Sequence, residues 1–127
     1  METLIYLDTH IVVWLYEGQL GLLTSHAKRL LNSEDLFVSP MVMLELDYLR
    51  ESRRITPPSE KIFEYLSRKL GLSICNKSFI EVINSARKQS WTRDPFDRVI
   101  VGQANLNSYQ LLTKDTHIRK HYQHAVW

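Results

Sequence analysis

The chain predicts an α/β fold, a three-layer α/β/α sandwich around a central parallel sheet. Three observations point there. Short apolar runs recur without the in–out alternation of a half-exposed strand, which is how strands buried on both faces read. Helix-opening residues follow most of these runs. The two patterns alternate from end to end, and strands regularly separated by helices imply a layered sheet. A chain of 127 residues has room for one domain, spanning 1–127, around one core.

Taken in order, Leu4-Ile5-Tyr6-Leu7 reads as the first buried strand. Asp8-Thr9 offers an N-cap for a short helix carrying Ile11, Val12 and Leu15. After Gly21, Thr24 or Ser25 caps a second helix that ends near Asn32. Leu36-Phe37-Val38 is a brief strand, and Ser39-Pro40 opens a helix running to about Ser52. The break from Arg53 to Ser59, with Pro57-Pro58, is the turn of a helical hairpin. The next helix begins at Ser59, buries Ile62, Phe63 and Leu66, and ends at Gly71. Leu72 to Cys75 is a third strand, Phe79 to Lys88 a helix, and Asp94-Pro95 opens another helix ending near Asn107. Gln110 to Thr113 is a fourth strand, and Ala125-Val126-Trp127 a terminal edge strand.

Composition excludes more than it identifies. Hydrophobic residues at 44% and charged residues at 24% are ordinary for a globular chain and argue against disorder. A formal charge of +2 allows a nucleic-acid partner without requiring one. The single cysteine, Cys75, can form neither an internal disulfide nor a thiolate metal cage, which fits a reducing compartment. Met1-Glu2-Thr3 lacks the basic-then-apolar pattern of a signal peptide, and no apolar run approaches the ~20 residues of a membrane span. The expectation is a soluble, cytoplasmic protein with no membrane partner.

Four carboxylates carry the functional expectation. Asp8 follows the first strand, and ligands of open parallel sheets gather beyond the carboxyl ends of strands. It is also a natural helix cap. Glu45 has Met41, Val42, Tyr48 and Leu49 one helical turn away, which places it in the middle of a buried apolar stripe, with Asp47, Arg50 and Glu51 opposite. An unpaired carboxylate buried there costs several kcal/mol (order of magnitude) unless a cation or proton compensates. Asp97 shares its face with Ile100, Val101 and Ala104, while Asp94 at N-cap and Pro95 at N1 start its helix. Asp94 reads as a cap first and a metal ligand second. Asp115 follows the fourth strand as Asp8 follows the first, and is the acid most easily explained as a cap. Thr113, two residues before it, can hydrogen-bond a neighbouring carboxylate.

Two acids at strand ends and two on inward helix faces can share one cleft. Clustered like charges repel, and a hard cation neutralises them. Oxygen-only ligands favour Mg²⁺ or Mn²⁺ over Zn²⁺. Such a site suits water attack on a phosphodiester.

The motifs are Asp8-Thr9-His10 with Trp14 beyond, and Ser39 with Glu45. Arg93-Asp94-Pro95-Phe96-Asp97-Arg98 follows, running on to Gln103-Ala104, and then Leu111-Leu112-Thr113-Lys114-Asp115. The ordered set, over essentially the whole chain to Val126-Trp127, resembles the PIN domain, in particular the VapC-like toxin ribonucleases of type II toxin–antitoxin systems. That resemblance implies a Mg²⁺- or Mn²⁺-dependent endoribonuclease acting on RNA. By position, Asp8, Glu45, Asp97 and Asp115 take the catalytic and metal-binding roles, with Asp94 and Thr113 supporting. A homodimer and a small cognate antitoxin that blocks the site are implied as partners. One departure is Trp91-Thr92 before Arg93, where relatives often carry histidines; it bears on the rim of the cleft and not on the acids.

The remaining candidates are weaker. Arg93, Arg98 and Lys114 could bind RNA phosphates or balance charge, as could Arg119 and Lys120. His117, His121 and His124 share a helical face that could bind zinc, but lie in a polar surface segment. Trp14, Tyr48 and Phe96 read as core, and His10 as a cap or part of the cleft lining. Two alternatives stand beside the nuclease. One is a catalytically silent PIN fold that only binds a partner. The other is a haloacid-dehalogenase-like phosphatase, which wants an aspartate two residues after Asp8, where this chain has His10.

Overall fold

A computed structural model describes residues 3–127. The reading of the N-terminus as lacking a signal peptide falls largely on Met1 and Glu2, outside the described residues.

Five strands form one parallel sheet: β1 (Leu4–Leu7), β2 (Asp35–Val38), β3 (Ser73–Ile74), β4 (Gln110–Leu112) and β5 (Ala125–Val126). Their order is β3-β2-β1-β4-β5. Between them run α1 (Thr9–Glu17), α2 (Ser25–Ser33), α3 (Pro40–Glu51), α4 (Ser59–Leu70), α5 (Phe79–Arg87), α6 (Pro95–Asn105) and α7 (Thr116–His121), with a 3₁₀ turn at Leu20–Leu22. The chain winds outward from β1 through β2 to β3, then returns to place β4 and β5 on the other side. Because parallel crossovers are right-handed, this reversal puts helices on both faces, giving the α/β/α sandwich. It also opens a crevice between the carboxyl ends of β1 and β4, where such sheets bind ligands.

The strands read as continuous apolar runs because β1 is covered on both sides. Ile5 and Leu7 are fully buried, paired in register with Leu36 and Leu112 respectively. Ile11, Leu46, Ile62, Leu66, Leu111 and Ile118 complete the core, and each such side chain contributes about 1.5–3 kcal/mol by burial. On one face α1, α3 and α4 pack together, and α5 packs on α6. α3 also touches α6, which brings Glu45 toward Asp97.

Three expectations need correcting. The third strand keeps only Ser73–Ile74, exposed on the outer edge. Tyr48 is 54% exposed and lies against Phe96, so it is surface and not core: α3 buries Val42 and Leu46, and Tyr48 faces away from both. α7 stops at His121, so His124 leaves the helical face of His117 and His121, and those two rings pack on Trp91 instead.

The α5–α6 contact depends on Gly102. A Cβ there would lie 2.7 Å from Ala86 N and 2.9 Å from Ala86 Cα, both backbone atoms that cannot swing aside. Gly102→Ala is therefore expected to lower stability by about 1–3 kcal/mol in urea unfolding, although alanine is intrinsically better in a helix by ~1 kcal/mol. A variant as stable as the parent would show that the two helices separate freely.

Candidate active site

Asp8 lies where β1 ends and α1 begins. Its N–H donates to Leu112 O at 3.0 Å, which pins it between β1 and β4. It is only 4% exposed, and its two oxygens do different work. Oδ1 accepts from Thr9 N (2.8 Å) and caps α1; Oδ2 accepts from the Thr113 hydroxyl (2.7 Å), with His10 Nδ1 at 3.5 Å. Capping and site membership are thus compatible in one residue.

Thr113 is fully buried at the end of β4, and its hydroxyl also accepts from Asp115 N at 3.0 Å. With its single proton given to Asp8, this hydroxyl fixes the two strand-end acids relative to each other. Asp115 caps α7, Oδ1 accepting from His117 N (2.8 Å) and Ile118 N (3.0 Å). Asp94 is exposed and caps α6 in the same way, accepting from Phe96 N (2.8 Å) and Asp97 N (3.3 Å).

Glu45 is half-buried at the border of the α3 stripe and not at its centre, which Val42 and Leu46 occupy. Its Oε1 accepts from the Thr9 hydroxyl. Burial raises its pKa most; the Thr9 hydrogen bond opposes this, and the charges of Asp8 and Asp94 add to it. Asp97, in the first turn of α6, has no side-chain hydrogen bond within the described residues. Burial, followed by the charges of Asp8, Asp94, Asp115 and Glu45, pushes its pKa up to about 8.

All five acids line one cleft of about 310 Å³, with Thr9 and His10 among them and Leu49 and Ile55 forming an aliphatic wall. Among the described residues, no lysine or arginine forms an ion pair with these acids; the one basic side chain beside them is His10, next to Asp8. Arg98 donates instead to Thr92 O (2.8 Å), Lys114 lies over the Trp14 ring, and Arg93 is exposed. No three His, Cys, Asp or Glu side chains among the described residues are gathered tightly enough to form a ready-made metal cage. The donor chemistry nonetheless fits a hard divalent cation: oxygen only, net negative and crowded enough to protonate Asp97 near neutral pH.

Two residues were missed as parts of the site. Thr9 is 3% exposed and orients Glu45, a contact that exists only because α1 packs on α3. Trp14, expected in the core, is half-buried and lines the cleft. Both stand in the stretch Asp8-Thr9-His10 with Trp14 beyond, which gave neither of them a role in the site.

The PIN domain profile matches residues 5–123. A toxin–antitoxin complex from Klebsiella pneumoniae contains a chain similar in fold, with a TM-score of 0.67, 19% identity, and coverage of 97% of this chain and 96% of that one. VapBC2 from Rickettsia felis, solved bound to a DNA fragment from their promoter, gives a TM-score of 0.57 and 18% identity over 92% of each chain. At these identities the likeness is one of fold. No curated protein matches in sequence. Together with the parallel sheet and the acidic cleft at its switch point, the profile match over nearly the whole chain settles the family: the chain belongs to the PIN domain family.

Proposed function

We propose that this chain, one PIN domain over residues 1–127, is a divalent-metal-dependent endoribonuclease and the toxin of a toxin–antitoxin pair. The observation that carries this reading is the gathering of Asp8, Glu45, Asp94, Asp97 and Asp115 along one cleft, where burial and the neighbouring acids push Asp97 up to about 8. A chain has little reason to hold five uncompensated acids in one cleft unless a cation and a phosphodiester complete it.

Asp8, Asp97, Glu45 and Asp115 would hold Mg²⁺ or Mn²⁺, with Asp94 at the rim. When bound, the ion supplies charge stabilisation at the phosphoryl oxygens and makes an attacking water more acidic. The chain's own residues do the rest. Thr113 holds Asp8 and Asp115 in register, and Thr9 fixes one oxygen of Glu45, leaving the other free. That free oxygen accepts the proton of the attacking water, a role suited to a carboxylate whose pKa is raised by burial. The water oxygen bonds to phosphorus in line with the breaking ester bond, and the leaving oxygen is protonated from solvent. Arg93 and Lys114, both exposed and near the acids in sequence, would meet flanking phosphates.

The fold likeness to chains in toxin–antitoxin complexes supports a small antitoxin as partner. A homodimer is supported by Phe79 (79% exposed) on α5 and Leu44 (55%) on α3, apolar side chains that line one pocket and that water disfavours. No helix among the described residues is long and apolar enough to cross a membrane.

Labelled single-stranded RNA should be cut with Mg²⁺ or Mn²⁺ present and left intact with EDTA. Asp8→Asn should slow cutting at least about a hundredfold, the scale of losing one transition-state electrostatic contact. Undiminished activity in Asp8→Asn would remove this site from the reaction. Metal binding without cleavage of any RNA would favour a binding-only PIN fold.

A further inference from the structure

Beside the acidic cleft lies a second pocket of about 370 Å³, formed by His10, Trp14, Lys114, Asp115 and Thr116. His10, Trp14 and Asp115 belong to both, so the two form one continuous depression. We propose that this side pocket binds the base of a nucleotide flanking the scissile phosphate, stacked on the Trp14 ring. The inference rests on the reading of the acidic cleft as a nuclease site.

The Trp14 ring is held from two sides. Trp127 packs against it at 6.2 Å between centroids and His10 at 5.1 Å, both tilted, so the ring is a rigid wall. His10 is itself clamped. Its Nε2 lies 3.1 Å from Lys114 N, a backbone amide that can only donate, so Nε2 is the acceptor and the ring proton sits on Nδ1, facing Asp8. This clamp ties the chain after β4 to α1 and sets Lys114 above the tryptophan, its Nζ 5.6 Å from the ring centroid. The Lys114 side chain is exposed and makes no ion pair among the described residues.

A cation over a half-buried indole at the water boundary is a weak contact, and a stacked nucleobase is a stronger one. A base arriving on Trp14 therefore displaces the ammonium, which is then free to meet the phosphate of the same nucleotide. The Thr116 hydroxyl, exposed and without a hydrogen bond among the described residues, can pair with the edge of that base. The far wall of the cleft, Leu49 and Ile55, offers no ring, so stacking is confined to this side. A base can reach the pocket only from an unpaired strand, which makes single-stranded nucleic acid the substrate.

The chain has three tryptophans, and Trp91→Phe with Trp127→Phe leaves Trp14 as the sole emitter. In EDTA, AMP and UMP should quench Trp14 saturably while ribose 5-phosphate, which lacks a base, should not. Lys114→Ala, which uncovers the ring without touching the core, should shift quenching by adenosine to at least about threefold lower concentration. On a mixed single-stranded RNA pool, Trp14→Leu should change the nucleotide preference beside the cut about tenfold, and Trp14→Phe should restore it. Quenching by nucleotides without any RNA cleavage would support the pocket while sinking the nuclease reading. Cleavage with preferences unchanged in Trp14→Leu, or quenching by ribose 5-phosphate equal to that by AMP, would overturn the pocket.

Discussion

Asp97→Asn is expected to abolish RNA cleavage while making the metal-free protein more stable at and above neutral pH. Most point substitutions lower stability, so a loss of activity joined to a gain in stability is a discriminating result. The reason is the direction of the Asp97 shift. Its folded pKa is about 8, against the ordinary aspartate value of 3.8 in the unfolded chain. Between those values the unfolded chain releases the proton and the folded chain retains it, so wild-type stability falls as pH rises from about 4 and levels off above about 8. Asparagine has no proton to lose and escapes this penalty. The cleft is open to water, so solvent screening reduces the gain to on the order of 1–2 kcal/mol. Against it stands the loss of a favourable charge at the N-terminus of α6, worth about 0.3–1 kcal/mol. The balance favours asparagine, by a melting-temperature rise of roughly 2–6 °C in EDTA at pH 8.5 that shrinks toward nothing near pH 4. A variant less stable than wild type at pH 8.5 would mean that burial and the neighbouring acids do not hold the Asp97 carboxyl above its ordinary value.

Much of this site was legible in the sequence, for identifiable reasons. Asp8 and Asp115 follow strands buried on both faces, which show as uninterrupted apolar runs whatever their order in the sheet. Asp94-Pro95 starts α6 as expected, because a cap followed by a proline is a local signal that needs no tertiary contact. The sheet order, by contrast, is set by which edges the crossovers reach, and no local pattern encodes it. Helix faces were legible only to within a residue or two. Glu45 lies beside the buried stripe because α3 turns Val42 and Leu46 inward, and the same rotation carries Tyr48 out to solvent. The Thr9–Glu45 contact spans 36 residues, and the His10–Lys114 clamp spans 104. Spacing along the chain says nothing about either. Trp14 was misread for a related reason: a tryptophan on an apolar helix face looks the same whether its outer edge meets the core or a cleft.

The same linkage predicts how a divalent cation should act on the folded protein. Binding requires ionised carboxylates, so protons compete with the metal and the competition fades as pH rises. Without metal, stability declines from about pH 4 to about pH 8 because of Asp97, with Glu45 contributing in the same direction. Saturating Mn²⁺ or Mg²⁺ should remove that decline, since the cation replaces the proton as the group that neutralises the cleft. At a hundredfold excess over Kd the stabilisation is about 2.7 kcal/mol, a melting-temperature rise on the order of 10 °C for a domain of this size. The rise should be large at pH 8 and small at pH 5. Calorimetric titrations at pH 7 in buffers of different ionisation enthalpy should show proton release on binding, because Asp97 is mostly protonated there in the free protein. Asp97→Asn should abolish that release, and Asp8→Asn should weaken binding and shrink the metal-free pH dependence, since the Asp8 charge contributes to the Asp97 shift. A thermal shift equal at pH 5 and pH 8, or one that survives in both variants, would place the cation somewhere other than among these five acids.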